Sequence, residues 1–298
     1  MRPRSSILIT GASSGIGQAL ALHFAQQGHL VLAGVRRRED ADELVSRSQG
    51  RVTPIRLDVT SAASIEVALA QVQAHAGEQL DVLINNAGLA FSGALEHTPQ
   101  DELARLMNVN VMGTFAVTRA CLPLLRQAKG HIVNISSISG LFAAPGLTAY
   151  VASKHAVEGM TAALRMELAP LGVKVCSIAP GKIDTPIWDK ALHTTAVIQA
   201  RNTQNPAQSP VQSPTPAFAP TYAPHYQTLD TFYQRYAHDE RGTPMAAVIK
   251  AVEKALRSDA PKARYIVGRN ARLRACLNWL PTAWRERLIL NSVARAAS

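Results

Sequence analysis

A tyrosine and a lysine one helical turn apart are the residues whose types and spacing best suit acid–base chemistry. Tyr150 and Lys154 lie within residues 149–160, a stretch that reads as helix, so their side chains should share one face. A free phenol has a pKa of about 10, too high for a base at neutral pH, and a nearby ammonium lowers that pKa. The tyrosine could then donate or accept a proton. The same pair is also common on ordinary helix surfaces, so it needs support from elsewhere in the chain.

A serine-rich segment precedes this pair. Residues 134–140 (NISSISG) follow a predicted buried strand, and ligands of parallel α/β sheets lie at the carboxyl ends of the strands. Ser137 could therefore donate a hydrogen bond to a substrate carbonyl oxygen. Ser136 and Ser139 are rivals that the chemistry of the chain does not exclude.

A glycine-rich turn follows the first predicted strand, residues 7–10, and opens a helix. Glycine is needed where a Cβ would block a phosphate, and the turn places backbone N–H groups at the positive end of the helix. This position predicts a dinucleotide pyrophosphate site, although an ordinary tight turn would use the same residue types. The candidate contacts are Gly11, Ser13, Ser14, Gly15, Ile16 and Gly17.

The end of the second predicted strand indicates which dinucleotide fits. An acidic residue there would bind an adenosine ribose with a free 2′-hydroxyl, but the strand ends at Val35 and runs into three arginines. Arginine suits a 2′-phosphate by its charge and by its forked geometry. Arg36 therefore predicts NADP(H) in preference to NAD(H), with a solvated basic turn as the alternative.

A regular alternation of strand-like and helix-like segments must position these residues. Near-continuous apolar runs, typical of strands buried on both faces, alternate with stretches of helical spacing. The pattern predicts an α/β fold with a doubly wound parallel sheet of the Rossmann type, in a single catalytic domain over residues 1–268. The predicted strands are 7–10, 30–35, 52–57, 82–84, 132–135 and 173–178.

Two regions depart from the alternation. Residues 205–224 contain six prolines, which argues against regular helix or central strand and predicts a mobile excursion within a substrate lid at about 186–241. Residues 269–298 form a basic, helix-like extension that Pro281 interrupts. This extension could lie on an anionic membrane, cover the substrate cleft or contribute to a subunit interface.

Charge and composition limit the binding partners, the metal sites and the cellular locations that the sequence allows. The net charge is +10, and residues 262–298 hold eight Lys or Arg against the single acid Glu286, so +7 of the +10 lies there. No recognised nucleic-acid motif accompanies this charge. The three cysteines are far apart, which argues against a disulfide framework or a zinc site, and no metal is predicted. With no signal peptide and no apolar run of about 18 residues, the expected location is cytoplasmic, with peripheral membrane contact as an option.

Several motifs, taken in order, resemble the short-chain dehydrogenase/reductase family, most closely its steroid and retinol dehydrogenase branch. They are TGASSGIG at 10–17, NNAG at 85–88, NVNVMG around Asn110, the serine motif, YVASK at 150–154 and Pro180 with Gly181. The resemblance implies that Tyr150 is the general acid/base and that Ser137, rather than its neighbours, orients the substrate. Lys154 would hold the nicotinamide ribose and lower the tyrosine pKa. Asn110 would position a water in a proton relay to Lys154, or else would make a helix-breaking polar contact.

The resemblance also implies the rest of the cofactor site. Asp58 would hydrogen-bond the adenine with Val59 beside it, although an aspartate there could instead cap the next helix. The segment after residue 180 would close over the nicotinamide. With the NNAG motif and the catalytic pair, the implied contacts are Asn86, Ala87, Gly88, Tyr150, Lys154, Pro180, Gly181, Ile183 and Thr185.

The activity implied is oxidoreduction of a carbonyl or secondary alcohol with NADP(H). Apolar and aromatic residues of the lid favour a lipophilic substrate of steroid, retinoid or fatty type, and the family implies a homodimer or homotetramer. Three alternatives remain open. They are a non-catalytic dinucleotide sensor or scaffold, a membrane-surface binding protein acting through the extension, and an isomerase or epimerase with a recycled cofactor.

Overall fold

Seven parallel strands form one sheet in the computed structural model, which describes residues 4–183, 185–204, 223–238 and 242–297. The strands are Ser6–Thr10 (β1), Leu30–Val35 (β2), Val52–Arg56 (β3), Val82–Asn85 (β4), His131–Ile135 (β5), Lys174–Pro180 (β6) and Arg264–Val267 (β7). They are ordered β3-β2-β1-β4-β5-β6-β7. The chain thus winds outward in both directions from the boundary of β1 and β4, and the predicted doubly wound α/β fold is confirmed.

Strand β7 was not predicted from the sequence. This strand has four residues and pairs with β6 at the end of the sheet. Arg264 is exposed and Tyr265 and Ile266 are only half-buried, so the segment has too little apolar sequence to stand out as a strand.

Helices cover both faces of the sheet. Those described are Gly15–Gln26 (α1), Arg38–Arg47 (α2), Ala62–Ala76 (α3), Gln100–Met107 (α4), Thr114–Ala128 (α5), Thr148–Leu168 (α6), Ile187–Gln204 (α7), Ala223–His238 (α8), Met245–Arg257 (α9), Arg269–Cys276 (α10) and Thr282–Ala297 (α11). A π-helical turn, Asn108–Gly113, joins α4 to α5. Side chains of β1 show the two layers, because Ile7 and Ile9 pack with α1, α2 and α9, whereas Leu8 packs with α3 and α5.

Two helices of the predicted lid are described, α7 and α8. The expectation that residues 205–224 contain no regular helix is wrong for its last two residues, because α8 begins at Ala223. Pro224 lies in the first turn of α8, where a missing N–H costs no hydrogen bond. Residues 205–222, on which the rest of that prediction falls, lie outside the described part.

The basic extension forms α10 and α11, with the break at Pro281 as predicted. Helix α11 packs against α8. Ile289 of α11 and Leu277 join Ile138 and Phe142 in a small apolar cluster beside the carboxyl end of β5. Among the helices that are described, none combines the length and the hydropathy needed to span a bilayer.

Candidate active site

A cleft of about 1350 Å³ runs along the carboxyl ends of the strands, where the sheet order changes direction. Every residue that the sequence analysis assigned to the cofactor or to catalysis lines this cleft, except Gly17 and Asn110. The cleft therefore brings together segments far apart in the chain. They are the glycine loop, Arg36, Asp58 with Val59, the NNAG motif, Ser137, the tyrosine–lysine pair and the segment after β6.

The glycine loop is shaped for the close approach of a ligand. Gly11 and Gly15 have φ of +64° and +58°, in the left-handed region that favours glycine. A Cβ at Gly11 would lie 2.7 Å from the Cα of Ala87, so the loop packs directly on the NNAG segment. The Asn86 side-chain amide donates to the carbonyls of Thr10 at 3.0 Å and Gly11 at 2.9 Å, which fixes this contact. Gly17 packs beneath the loop against Asn86, and its role as a cofactor contact stays a prediction.

The start of α1 offers donors for a pyrophosphate. Ser14 is the N-cap residue, and its side chain makes no capping hydrogen bond, so backbone N–H groups of the first turn are left for an anion. Lys190 of α7 also lines the cleft and donates from Nζ to Ser14 Oγ at 3.2 Å. The pyrophosphate of a dinucleotide would fit here, against the glycine loop, the N-terminus of α1 and the Lys190 ammonium. Lys190 was not predicted, because nothing in its local sequence signals a contact with Ser14, 176 residues away.

Arg36 and Arg37 have different surroundings. Arg37 makes two hydrogen bonds to Asp40, from Nη2 at 2.6 Å and from Nε at 3.0 Å, so its guanidinium is already engaged. Arg36 lines the cleft, as predicted for a residue facing the adenosine end of a cofactor. Glu39, the first acid after the arginines, is exposed and is not among the cleft residues.

Asp58 lines the cleft and shapes the turn after β3. Its Oδ1 accepts hydrogen bonds from the backbone N–H of Thr60 at 2.9 Å and from the Thr60 hydroxyl at 2.7 Å. The N-cap of α3 is Ser61, which accepts from Ser64 N, so Asp58 does not cap that helix. Partial burial alone would raise the pKa of Asp58, but the Thr60 hydrogen bonds and the charge of Arg36 together hold it below its ordinary value.

Tyr150, Lys154 and Ser137 meet in the floor of the cleft. Helix α6 carries the tyrosine and the lysine on one face, with Lys154 Nζ 5.7 Å from the centroid of the Tyr150 ring. The same Nζ donates to the carbonyl oxygen of Ile135 at 3.0 Å, at the end of β5. Ser137 accepts from Ser139 N at 3.1 Å. Of the three candidate serines, Ser137 lines both this cleft and the adjoining apolar cavity, and its hydroxyl interacts with the phenol.

The pKa of Tyr150 differs from the expectation. Burial raises the pKa of Tyr150 to about 12, an effect that Ser137 opposes only in part, so the predicted lowering by Lys154 is wrong for the protein alone. Burial also lowers the pKa of Lys154 to about 8, against the attraction of Glu158. Sequence spacing correctly paired the two groups, but loss of solvent is the largest cause of both pKa shifts.

Asn110 is buried in the π-helical turn and does not line the cleft. Its Oδ1 accepts from Leu89 N at 2.7 Å, and its Nδ2 donates to Leu89 O at 2.9 Å and to Ser153 Oγ at 3.0 Å. The side chain therefore ties the segment after the NNAG motif to α6, which is the helix-breaking polar contact considered above. A Cβ at Gly88 would lie 3.5 Å from Asn110 Oδ1 and 3.7 Å from Lys154 Nζ, so the asparagine and the lysine flank one glycine. A water relay through Asn110 stays a prediction.

The segment after β6 closes over the glycine loop. Pro180, Gly181, Ile183 and Thr185 all line the cleft, and a Cβ at Gly15 would lie 3.4 Å from the Cβ of Thr185. The Gly181 N–H donates to Val267 O at 2.9 Å, which ties the segment to β7. Lid residues thus begin directly above the predicted pyrophosphate site.

A second cavity, of about 840 Å³, adjoins the cleft at Ser137. Its walls are mainly apolar and aromatic, and they come from the segment after β5, from α8 and from α11. They include Phe142, Leu147, Trp188, Phe232, Tyr233, Tyr236, Leu277, Leu288, Ile289 and Val293. Of the alternatives for the extension, the described residues favour cover of the substrate cleft. The sequence analysis did not identify Arg274, which also lines this cavity.

Comparisons with known proteins agree with this geometry. The sequence profile described as short chain dehydrogenase matches residues 5–196. Retinol dehydrogenase 5 of Mus musculus is 33% identical over 295 residues, covering 96% of this chain and 86% of that protein. The 3-oxoacyl-acyl-carrier-protein reductase of Thermotoga maritima is 41% identical over 187 residues, covering 61% of this chain and 76% of the reductase. A solved short-chain dehydrogenase from Streptomyces avermitilis is 29% identical, covers 100% of both chains and has a TM-score of 0.76. The resemblance predicted from the motifs is confirmed.

Proposed function

We propose that this chain, which belongs to the short-chain dehydrogenase/reductase family of NAD(P)-dependent enzymes acting on alcohol and carbonyl groups, interconverts a lipophilic ketone and its secondary alcohol with NADP(H). The observation that carries the proposal is the position of Ser137. This residue lines both the dinucleotide-shaped cleft and the apolar cavity, with Tyr150 and Lys154 beside it. A substrate in the cavity would place its oxygen where a hydroxyl and a phenol converge.

The proposed mechanism assigns one task to each side chain. In reduction, the phenol of Tyr150, protonated at neutral pH because its pKa is about 12, donates its proton to the substrate oxygen. Ser137 donates a second hydrogen bond to the same oxygen and holds it in place. When bound, the nicotinamide ring supplies the hydride. Lys154, with its pKa lowered to about 8, stabilises the phenolate and can return a proton near neutral pH. Asn110 and Ser153 keep the helix that carries the pair against the NNAG segment.

Turnover over a panel of ketones and alcohols, followed at the nicotinamide absorbance with both cofactors, tests this proposal. We expect NADPH to be consumed in step with reduction of at least one lipophilic ketone. Binding of cofactor without turnover of any member would instead support a sensor or scaffold. Conversion of substrate without net cofactor consumption would support an isomerase or epimerase.

Arg36 supports the preference for NADP(H). It is the arginine that lines the cleft at the end of β2, and its neighbour Arg37 is engaged by Asp40. A guanidinium at this place would pair with a 2′-phosphate and would gain nothing from a free 2′-hydroxyl.

Arg36→Leu is expected to raise KM for NADPH by about tenfold or more, since a charge-assisted hydrogen bond contributes about 1.5–3 kcal/mol. KM for NADH should change little. Arg37→Leu is the matched control, because this side chain is exposed and already paired. Steady-state kinetics with both cofactors check the prediction, and an equal effect of the two variants would contradict it.

A homodimer or homotetramer is part of the proposal. Met112, Phe115 and Met166 are exposed on the π-helical turn, α5 and α6, with 59%, 47% and 72% of their surfaces accessible. Large apolar side chains on the long helices beside the active site are what a subunit interface would cover.

Contact with a membrane surface is a second candidate role, favoured by the extension. Trp279 and Trp284 are 90% and 69% exposed, and the exposed Arg272 and Arg287 lie on α10 and α11. Tryptophan beside arginine suits the interface of an anionic bilayer.

The full chain is expected to float with vesicles that contain anionic lipid and to be released by salt. Substituting both Trp279 and Trp284 by serine should abolish flotation while preserving turnover of a water-soluble ketone. Flotation unchanged in the double variant, or equal on neutral vesicles, would refute this role.

A further inference from the structure

The second cavity, which adjoins the cleft at Ser137, continues past Tyr236 into a recess with a different lining. The two spaces share six residues, so they are continuous: Ile138, Gly181, Phe232, Tyr236, Arg274 and Ser292. The recess adds Lys182 and Arg235, and no aspartate or glutamate is found among the described residues that line either space. Both of these side chains have further interactions within the protein, so the mainly apolar cavity opens into a polar recess.

Arg274 lies at the junction of the two spaces. Its guanidinium carbon is 5.3 Å from the centroid of the Tyr236 ring, and its Nη1 donates to the Tyr236 hydroxyl at 3.3 Å. Lys182 Nζ lies 5.8 Å from the centroid of the same ring. Two cations thus converge on one aromatic side chain in the wall that the cavity and the recess share.

The surroundings of Arg274 leave donors for a ligand. The side chain is half-buried, and within the described part of the chain no carboxylate oxygen lies within 4.0 Å of its guanidinium. A guanidinium carries five N–H donors in a planar fork, and Tyr236 takes one of them. Desolvating a charge is unfavourable unless an opposite charge or hydrogen bonds compensate it. A carboxylate, which accepts two parallel hydrogen bonds from the fork, is the group that fits best.

We propose that the substrate is an amphipathic oxo acid, and that Arg274 binds its carboxylate. The apolar walls of the cavity would hold the hydrocarbon, and the reacting carbonyl would lie at Ser137 and Tyr150. The inference rests on the proposed oxidoreductase function and adds the substrate class, a lipophilic carboxylate in place of an uncharged steroid or retinol. Arg274 is then a specificity-determining residue.

A matched pair of substrates tests the proposal. Long-chain oxo-carboxylates, with the carbonyl moved stepwise along the chain, are compared with their methyl esters on the full-length protein. We expect kcat/KM to be at least about tenfold higher for the acid than for its ester at the best spacing. A sulfonate of the same chain length shows whether the site accepts another anion or requires a carboxylate.

Variants of Arg274 separate recognition from structure. Arg274→Met should raise KM for the acid by about tenfold or more, with kcat changing less than KM, and should change kcat/KM for the ester much less than kcat/KM for the acid. Arg274→Lys should restore part of the acid preference through charge alone. Tyr236→Phe, which keeps the ring and removes the hydroxyl, is the control for packing between α8 and α10.

Two results would overturn the inference while the oxidoreductase function stands. One is equal turnover of acid and ester by the unaltered protein. The other is an equal KM increase for both substrates in Arg274→Met, which would mean that Arg274 has only a structural role. If no ketone is reduced, the proposed function fails. Binding then still tests the role of Arg274. The same long-chain acid without its oxo group should displace a fluorescent fatty acid from the unaltered protein, and it should bind more weakly to Arg274→Met.

Discussion

Tyr150→Phe is expected to lower kcat by roughly two to four orders of magnitude, the range usual for loss of a general acid. The substitution removes the proton donor and leaves the ring, which packs with Leu106, Leu147 and Tyr233. Because the glycine loop, Lys190 and Arg36 do not depend on the phenolic oxygen, the dissociation constant for NADPH should change little. Single-turnover kinetics and a fluorescence titration of the cofactor measure the two quantities separately.

Tyr233→Phe is the matched control for this experiment. Tyr233 is also buried, and its hydroxyl donates to Pro145 O at 2.5 Å, in the wall of the substrate cavity. Loss of that hydroxyl should weaken substrate binding or stability without removing turnover. If Tyr150→Phe keeps near-normal turnover, or loses cofactor binding and turnover together, the assigned acid/base role is wrong.

Lys154→Met should abolish most turnover and at the same time stabilise the fold. Burial lowers the pKa of Lys154 from 10.5 to about 8, so at neutral pH the protein holds a desolvated ammonium. The shift corresponds to a destabilisation of up to about 3 kcal/mol, which methionine would relieve. The lost hydrogen bond to Ile135 O offsets part of this gain. We expect the free energy of unfolding to rise by about 1–2 kcal/mol, measured by denaturant titration.

The stability gained in Lys154→Met should depend on pH in a defined direction. Between pH 8 and 10.5 the unfolded chain binds more protons at this lysine than the folded chain does, so the unaltered protein gains stability as pH rises through this window. The advantage of Lys154→Met should therefore be largest below about pH 8 and shrink toward pH 10.5. Lys190→Met, at an exposed lysine that lines the same cleft, is the matched control. An advantage independent of pH would mean that packing, and not charge, is responsible.

The sheet was predictable because its strands are buried on both faces. Runs such as Leu30–Val35 and Lys174–Pro180 are apolar almost throughout, which leaves little ambiguity about their burial. The short edge strand at Arg264–Val267 lacks that signal. The first turn of α8 was also missed, because proline content was taken to exclude helix although proline is acceptable in a first turn.

Residues of the site were predictable where glycine spacing or a motif marks them, as at Gly11, Tyr150 and Lys154. No motif or glycine spacing identifies Lys190 or Arg274. Both reach the site through tertiary packing. Lys190 lies on α7, 176 residues from its partner Ser14, and Arg274 lies on α10, 38 residues from its partner Tyr236. The raised pKa of Tyr150 was not predictable from its distance to Lys154, because it depends on how completely the surrounding fold excludes water.

The contribution of α11 to the cavity wall has a consequence for synthesis of the chain. The residues of the dinucleotide cleft all precede residue 191, whereas Leu288, Ile289 and Val293 come about a hundred residues later. If residues 1–268 fold as a unit once α9 and β7 have left the ribosome, the cofactor cleft would be complete while the cavity still lacks its wall from α11. Translation itself would then order the two binding events, and nascent chains would carry nucleotide before they could discriminate among ketones.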